Sequence, residues 1–143
     1  MNAPFSARLS PSSDASNWHA ELDLRVEARG ARSTLVHCRH NGPLRVQKAL
    51  YPEGGDVCQI LILHPPAGIA GGDHLHIALE VGPDAHAQAT TPGAGKWYRS
   101  KGPQAFQDIE LRVAAGGRLE WLPQEAIVFD QAQANTTTIM TLE

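Results

Sequence analysis

Glu21-Leu22-Asp23-Leu24-Arg25-Val26-Glu27-Ala28-Arg29 is the stretch that decides the fold class. Leu22, Leu24, Val26 and Ala28 alternate with charged residues, and a period of two places all four on one face of an extended strand. The same period returns where Leu75, Ile77 and Leu79 alternate with His74, His76 and Ala78. It returns again where Ile109, Leu111 and Val113 alternate with Asp108, Glu110 and Arg112. Val57 to Leu63 is apolar on both faces apart from Gln59, the pattern of a central strand covered on both sides. Turn residues fall between these runs at Asn41-Gly42-Pro43, Pro52 to Asp56, Gly82-Pro83-Asp84, Gly102-Pro103 and Gly116-Gly117. No window carries a helical period and no internal repeat is visible. The expected fold is all-β with little helix, a multi-stranded sandwich, barrel or β-solenoid-like packing of sheets.

The 143 residues suffice for one domain with a core of its own. A hydrophobic content of 42% with 19% charged residues is that of a globular chain rather than a disordered one. The net charge of −3 argues against nucleic acid as a partner, because such binders present a basic face. Residues 1–17 are rich in Ser, Pro and Ala and lack the apolar run of a secretory signal, so they read as a flexible lead-in to a domain over residues 18–143. No apolar run approaches the roughly 18 residues of a membrane span, and a cytoplasmic location is expected. Cys38 and Cys58 make no disulfide framework and read as reduced core positions. Asn135 to Glu143 is β-prone and reaches the end of the sequence with no turn, as an unfinished strand at a sheet edge would.

Two segments are longer and richer in chemistry than a connecting loop requires: His64-Pro65-Pro66-Ala67-Gly68-Ile69-Ala70-Gly71-Gly72-Asp73 and Thr90 to Ser100. Within the second, Gly93-Ala94-Gly95-Lys96 fails as a phosphate loop. Trp97 stands where a magnesium-binding Ser or Thr belongs, Thr90 stands where the first Gly belongs, and no helix follows. Lys96, Trp97, Tyr98 and Arg99 instead form an aromatic and basic group of the kind found at protein interfaces, against packing of the rings under the loop as the plainer alternative. His74 and His76 project from one strand face, while His37 and His40 project from opposite faces. Imidazole and carboxylate suit first-row metals, yet no spacing matches a closed structural zinc site. Glu120, Glu125 and Asp130 lie close in sequence, but solvent-facing strand residues do the same, and no Gly-x-Ser-x-Gly nucleophile motif occurs.

Read in order, five motifs form a series. They are Gly42-Pro43-Leu44-Arg45-Val46-Gln47-Lys48, Tyr51 to Cys58, the His64-to-Asp73 loop, Thr91 to Ser100, and Leu119-Glu120-Trp121-Leu122-Pro123-Gln124-Glu125. The series resembles the urease accessory protein D family over about Leu22 to Glu143, and an ordered series is more specific than any single motif. Ala67, Ala70 and Gly95 are small departures from the family pattern. The resemblance implies a non-catalytic all-β scaffold that binds urease apoprotein and docks accessory protein F, which recruits the GTPase accessory protein G. It implies nickel in transit rather than tightly held, and His64, Asp73, His74, His76, Glu125 and Asp130 are the residues expected to line its way. Family members continue considerably further, so this chain is expected to correspond to their N-terminal portion. The rival expectation is a small independent metal-binding protein or metal-dependent enzyme built on His74 and His76, and a generic peptide- or carbohydrate-binding β module is a third.

Overall fold

The computed structural model describes residues 17–65 and 68–143, so the lead-in expected over residues 1–17 lies, apart from Asn17, outside the described residues. The described residues form twelve strands and no helix. They are β1 (His19–Arg29), β2 (Arg32–Asn41), β3 (Arg45–Val46), β4 (Val57–Leu63), β5 (Gly68–Ile69), β6 (His74–Val81), β7 (His86–Thr90), β8 (Gly95–Trp97), β9 (Ala105–Val113), β10 (Arg118–Leu122), β11 (Ala126–Val128) and β12 (Ala134–Leu142).

From β4 onward the chain visits three sheets in rotation. Strands β4, β7 and β10 pair in parallel, as do β5, β8 and β11, and as do β6, β9 and β12. Parallel neighbours need a long crossover, and here each crossover is the remainder of one coil. The architecture is therefore the solenoid arm of the sequence expectation, with three coils stacked on one another. The sequence shows no repeat, but the structure does. It is a repeat of backbone pairing and of side-chain direction, which apolar and polar residues of many kinds can satisfy.

The first strands close one end. β1 pairs in parallel with β6 and antiparallel with β2, giving a five-stranded sheet in the order β12-β9-β6-β1-β2. Gly30, at φ 61°, is the first of the two residues joining β1 to β2, a position where a side chain is disfavoured in a tight hairpin. β3 pairs antiparallel with β4 and completes the second sheet.

Alternation fixes the core. Leu24, Leu79 and Leu111 stand in register across β1, β6 and β9, with Leu22, Ile77 and Ile109 beside them, all buried. Cys58, Ile60 and Ile62 of β4 and Ala87 and Ala89 of β7 supply the second wall, and Ile69 and Trp97 the third. β4 is buried on its inner face and only half-buried at Gln59, Leu61 and Leu63 on the other, short of the double cover expected. Cys58 is a core thiol as expected, whereas Cys38 is exposed, because β2 is an edge strand. In the third coil β11 and β12 are exposed along their whole lengths. Met140 and Leu142 stand in register with Leu111 and Val113 yet remain exposed, as does Val128 beside buried Trp97.

Candidate functional site

Asp73 closes the His64-to-Asp73 loop from a buried position. Its Oδ1 accepts the Trp18 backbone N–H at 3.0 Å and its Oδ2 accepts the Ala70 N–H at 2.9 Å. The Asp73 carbonyl accepts from Phe106, and its own N–H donates to the Ala70 carbonyl. One carboxylate therefore ties the start of β1 to the loop before β6, which explains an acid at this position without a metal. Both of its oxygens are engaged.

His64 lies close enough to Asp73 for the carboxylate to favour its charged form, but burial prevails and pushes the imidazole pKa below its ordinary 6.5. Among the described residues, His64 Nε2 is the one buried side-chain nitrogen or oxygen without a hydrogen-bond partner. A neutral imidazole with an unpartnered nitrogen is in the state a metal ion requires.

His74 and His76 project outward from β6 toward carboxylates of β9. His74 Nε2 lies 2.6 Å from Asp108 Oδ2, and His76 Nε2 lies 3.3 Å from Glu110 Oε1. His86 Nε2 stands 3.0 Å from Glu120 Oε2 on the β7–β10 pair. In all three the partners are 34 residues apart, so the coil repeat generates the same diagonal contact on two sheets. On the β1–β2 hairpin His37 reaches Asp23 at 3.2 Å, while His40 turns to the opposite face and meets Arg45, as the odd spacing implies. These pairs are partly solvent-exposed and contribute little to stability, about 0–1 kcal/mol each.

The remaining sequence-derived residues disperse. Glu125 and Asp130 are exposed in the turns flanking β11, and the Glu125 backbone carbonyl accepts the Gly95 N–H. Trp97 is 5% exposed and packs in the core, so the plainer alternative holds for it and its ring is not available to a partner. Tyr98 and Arg99 are exposed and Lys96 half-exposed. The Tyr98 ring contacts Phe129 in a tilted arrangement, 5.6 Å between centroids, and its outer edge covers Gly68, where a Cβ would collide with it. Ile127 and Phe129, exposed beside Lys96 and Tyr98, extend this surface, although roughly 30 residues separate them from it in sequence and no local pattern marks them.

Among the described residues no three His, Cys, Asp or Glu side chains converge closely enough to hold a metal ion. What the structure assembles is a set of separate imidazole–carboxylate pairs, each able to contribute one or two weak ligands or to pass a proton. Nothing local in the sequence joins Asp108, Glu110 and Glu120 to these histidines. Their alternation was legible, but the 34-residue offset that pairs them depends on the coil.

Comparison with known proteins follows the same span. Residues 19–143 match a protein-family model described as UreD urease accessory protein. The chain is 62% identical over 122 residues to urease accessory protein UreD of Dechloromonas aromatica, covering 85% of this chain and 42% of that protein. Against urease accessory protein UreD of Ralstonia nicotianae it is 61% identical over 117 residues, covering 82% and 40%. Against urease accessory protein UreD of a Pseudomonas fluorescens strain the identity is 54% over all 143 residues, which is 50% of that protein. The chain thus spans half or less of the length of these relatives.

Proposed function

The chain belongs to the UreD urease accessory protein family, and from that premise we propose that it serves urease maturation as a non-catalytic scaffold. In this reading it contacts urease apoprotein and accessory protein F, and through F the GTPase accessory protein G, while nickel passes along it as cargo. The match over residues 19–143 is the observation that carries the reading. The scattered imidazole–carboxylate pairs support it, because a cargo ion must be released and weak separate ligands release it. His64 is the expected residue best prepared to touch the ion in passing, whereas Asp73 holds the loop in place. Tyr98, Phe129 and Ile127, with Lys96 and Arg99 beside them, form the surface offered to a protein partner. The same reading places the protein in the cytoplasm, and no helix of the described residues is long and apolar enough to cross a membrane.

Co-purification with urease apoprotein and with accessory protein F tests this, with nickel assayed on the chain alone after desalting. Capture of either partner with substoichiometric nickel is the expected result. One tightly retained ion per chain, with neither partner captured, would establish the independent metal-binding protein instead.

A further inference from the structure

The Gly42-to-Lys48 motif enters the arrangement above only through the contact of Arg45 with His40, yet its Gly42, Pro43 and Arg45 line a cavity. The cavity measures about 660 Å³ and lies where the end of β2 and the following turn face the start of β1. Gly42 adopts φ 72°, and a Cβ there would lie 2.5 Å from the His19 carbonyl oxygen, so glycine is what lets the turn close on β1. Opposite, the Trp18 backbone is held on both sides, its N–H by Asp73 and its carbonyl by the His74 N–H at 2.9 Å. The walls that matter are Trp18, His19, His40, Asn41 and Arg45.

Among the described residues no acidic side chain lines this cavity, although the chain as a whole carries a net charge of −3. Arg45 donates to the His40 ring, and among the described residues no carboxylate lies within 4.0 Å of its guanidinium. Arginine has five N–H donors in a planar fork, so most of its capacity remains unused. His19 and Asn41 add further polar groups around the same space. Trp18, 45% exposed, supplies an aromatic wall.

We propose that this cavity binds a carboxylate, gripped bidentately by Arg45 with its carbon body against Trp18. The carboxylate belongs either to a free small acid or to an Asp or Glu side chain of a protein, since the fork recognises both alike. The inference does not depend on the urease reading.

Calorimetric titration of the 143-residue chain tests it, using sodium succinate and, separately, acetyl-Asp-Glu-Asp-amide at constant ionic strength, with sodium chloride as control. Saturable binding of at least one probe is expected, weakened about tenfold or more by Arg45→Gln and less by Arg45→Lys, which keeps the charge without the fork. Peptide binding about tenfold tighter than succinate identifies a protein side chain as the occupant, and equal or weaker binding a free acid. A thermal melt of each variant confirms folding. Should Arg45→Gln unfold, Arg45→Lys decides alone. Heats matching the chloride control, or undiminished binding by whichever variant folds, would overturn the proposal.

Discussion

Replacing Asp73 by Ala removes the acceptor of two backbone N–H groups, those of Trp18 and Ala70, and leaves in place the backbone hydrogen bonds that Asp73 makes to Ala70 and Phe106. Hydrogen bonds to a charged acceptor contribute about 1.5–3 kcal/mol each. Trp18 and its surroundings are only part-buried, so water recovers some of the loss and the lower end applies to both bonds. The expected destabilisation is about 3 kcal/mol. A chain of this length unfolds with an entropy near 0.3 kcal/mol per degree, so Tm should fall by about 10 °C. Asp73→Asn keeps the shape but turns an N–H2 toward one of the two donors, so it should recover only part of the loss. Thermal melts and urea titrations followed by circular dichroism measure both variants. Acrylamide quenching, compared with a Trp18→Phe background, reports whether the start of β1 has come loose. A loss below about 1 kcal/mol for Asp73→Ala, with Trp18 quenching unchanged, would refute the role of this carboxylate as the tie between β1 and the loop.

The other expectations concern burial. His64 has a pKa pushed down by burial, so the unfolded chain takes up its proton first as the pH drops. Its contribution to stability is complete above the ordinary 6.5 and declines as the pH falls from there toward the folded value. His64→Gln should flatten the urea-midpoint profile in that window, and an unchanged slope would contradict it. Gly68→Ala should cost about 1–2 kcal/mol by displacing the Tyr98 ring, and the cost should largely vanish in a Tyr98→Ala background. Leu79→Ala should cost about 3 kcal/mol, whereas Met140→Ala in the same row, 59% exposed, should cost under about 1 kcal/mol. The exposed apolar side chains of the third coil, Val128 on β11 and Met140 and Leu142 on β12, should make the 143-residue chain self-associate in sedimentation, and a clean monomer at high concentration would refute that.

Strand content was legible because period-two alternation is a local property, and β1, β6 and β9 fall where Leu22, Leu75 and Ile109 begin their rows. The turns at Gly42, Gly82, Gly102 and Gly116 were legible too, and in the structure each of these glycines except Gly82 has positive φ. Coil stacking was not, because it depends on which strand neighbours which, and no residue type marks a parallel pair. The same limit governs the site. His74 and His76 could be placed on one face, but Asp108 and Glu110 become their partners only after a full coil. Trp97 misled for a different reason. In Lys96-Trp97-Tyr98-Arg99, alternation sends Trp97 inward and Tyr98 outward, and a cluster read as one surface is split by the pleat.

A solenoid distributes chemistry in rows rather than gathering it at a point. Side chains on its outer faces recur at the strand spacing across coils, about 4.8 Å, and at two residues along a strand, about 7 Å. Those distances permit one imidazole to meet one carboxylate, as His74 meets Asp108, but they keep the next pair too far away to complete a coordination sphere. Tight metal binding needs three or four ligands turned toward one centre, which takes loops or converging strands. Between its closed β1–β2 end and the exposed third coil, the described residues supply flat polar faces, a buried and unpartnered Nε2 at His64, and a cavity at Arg45 with no described acid in its lining. Such an architecture is suited to contacts that form and release, and the specificity of each contact must then come from the partner that completes it.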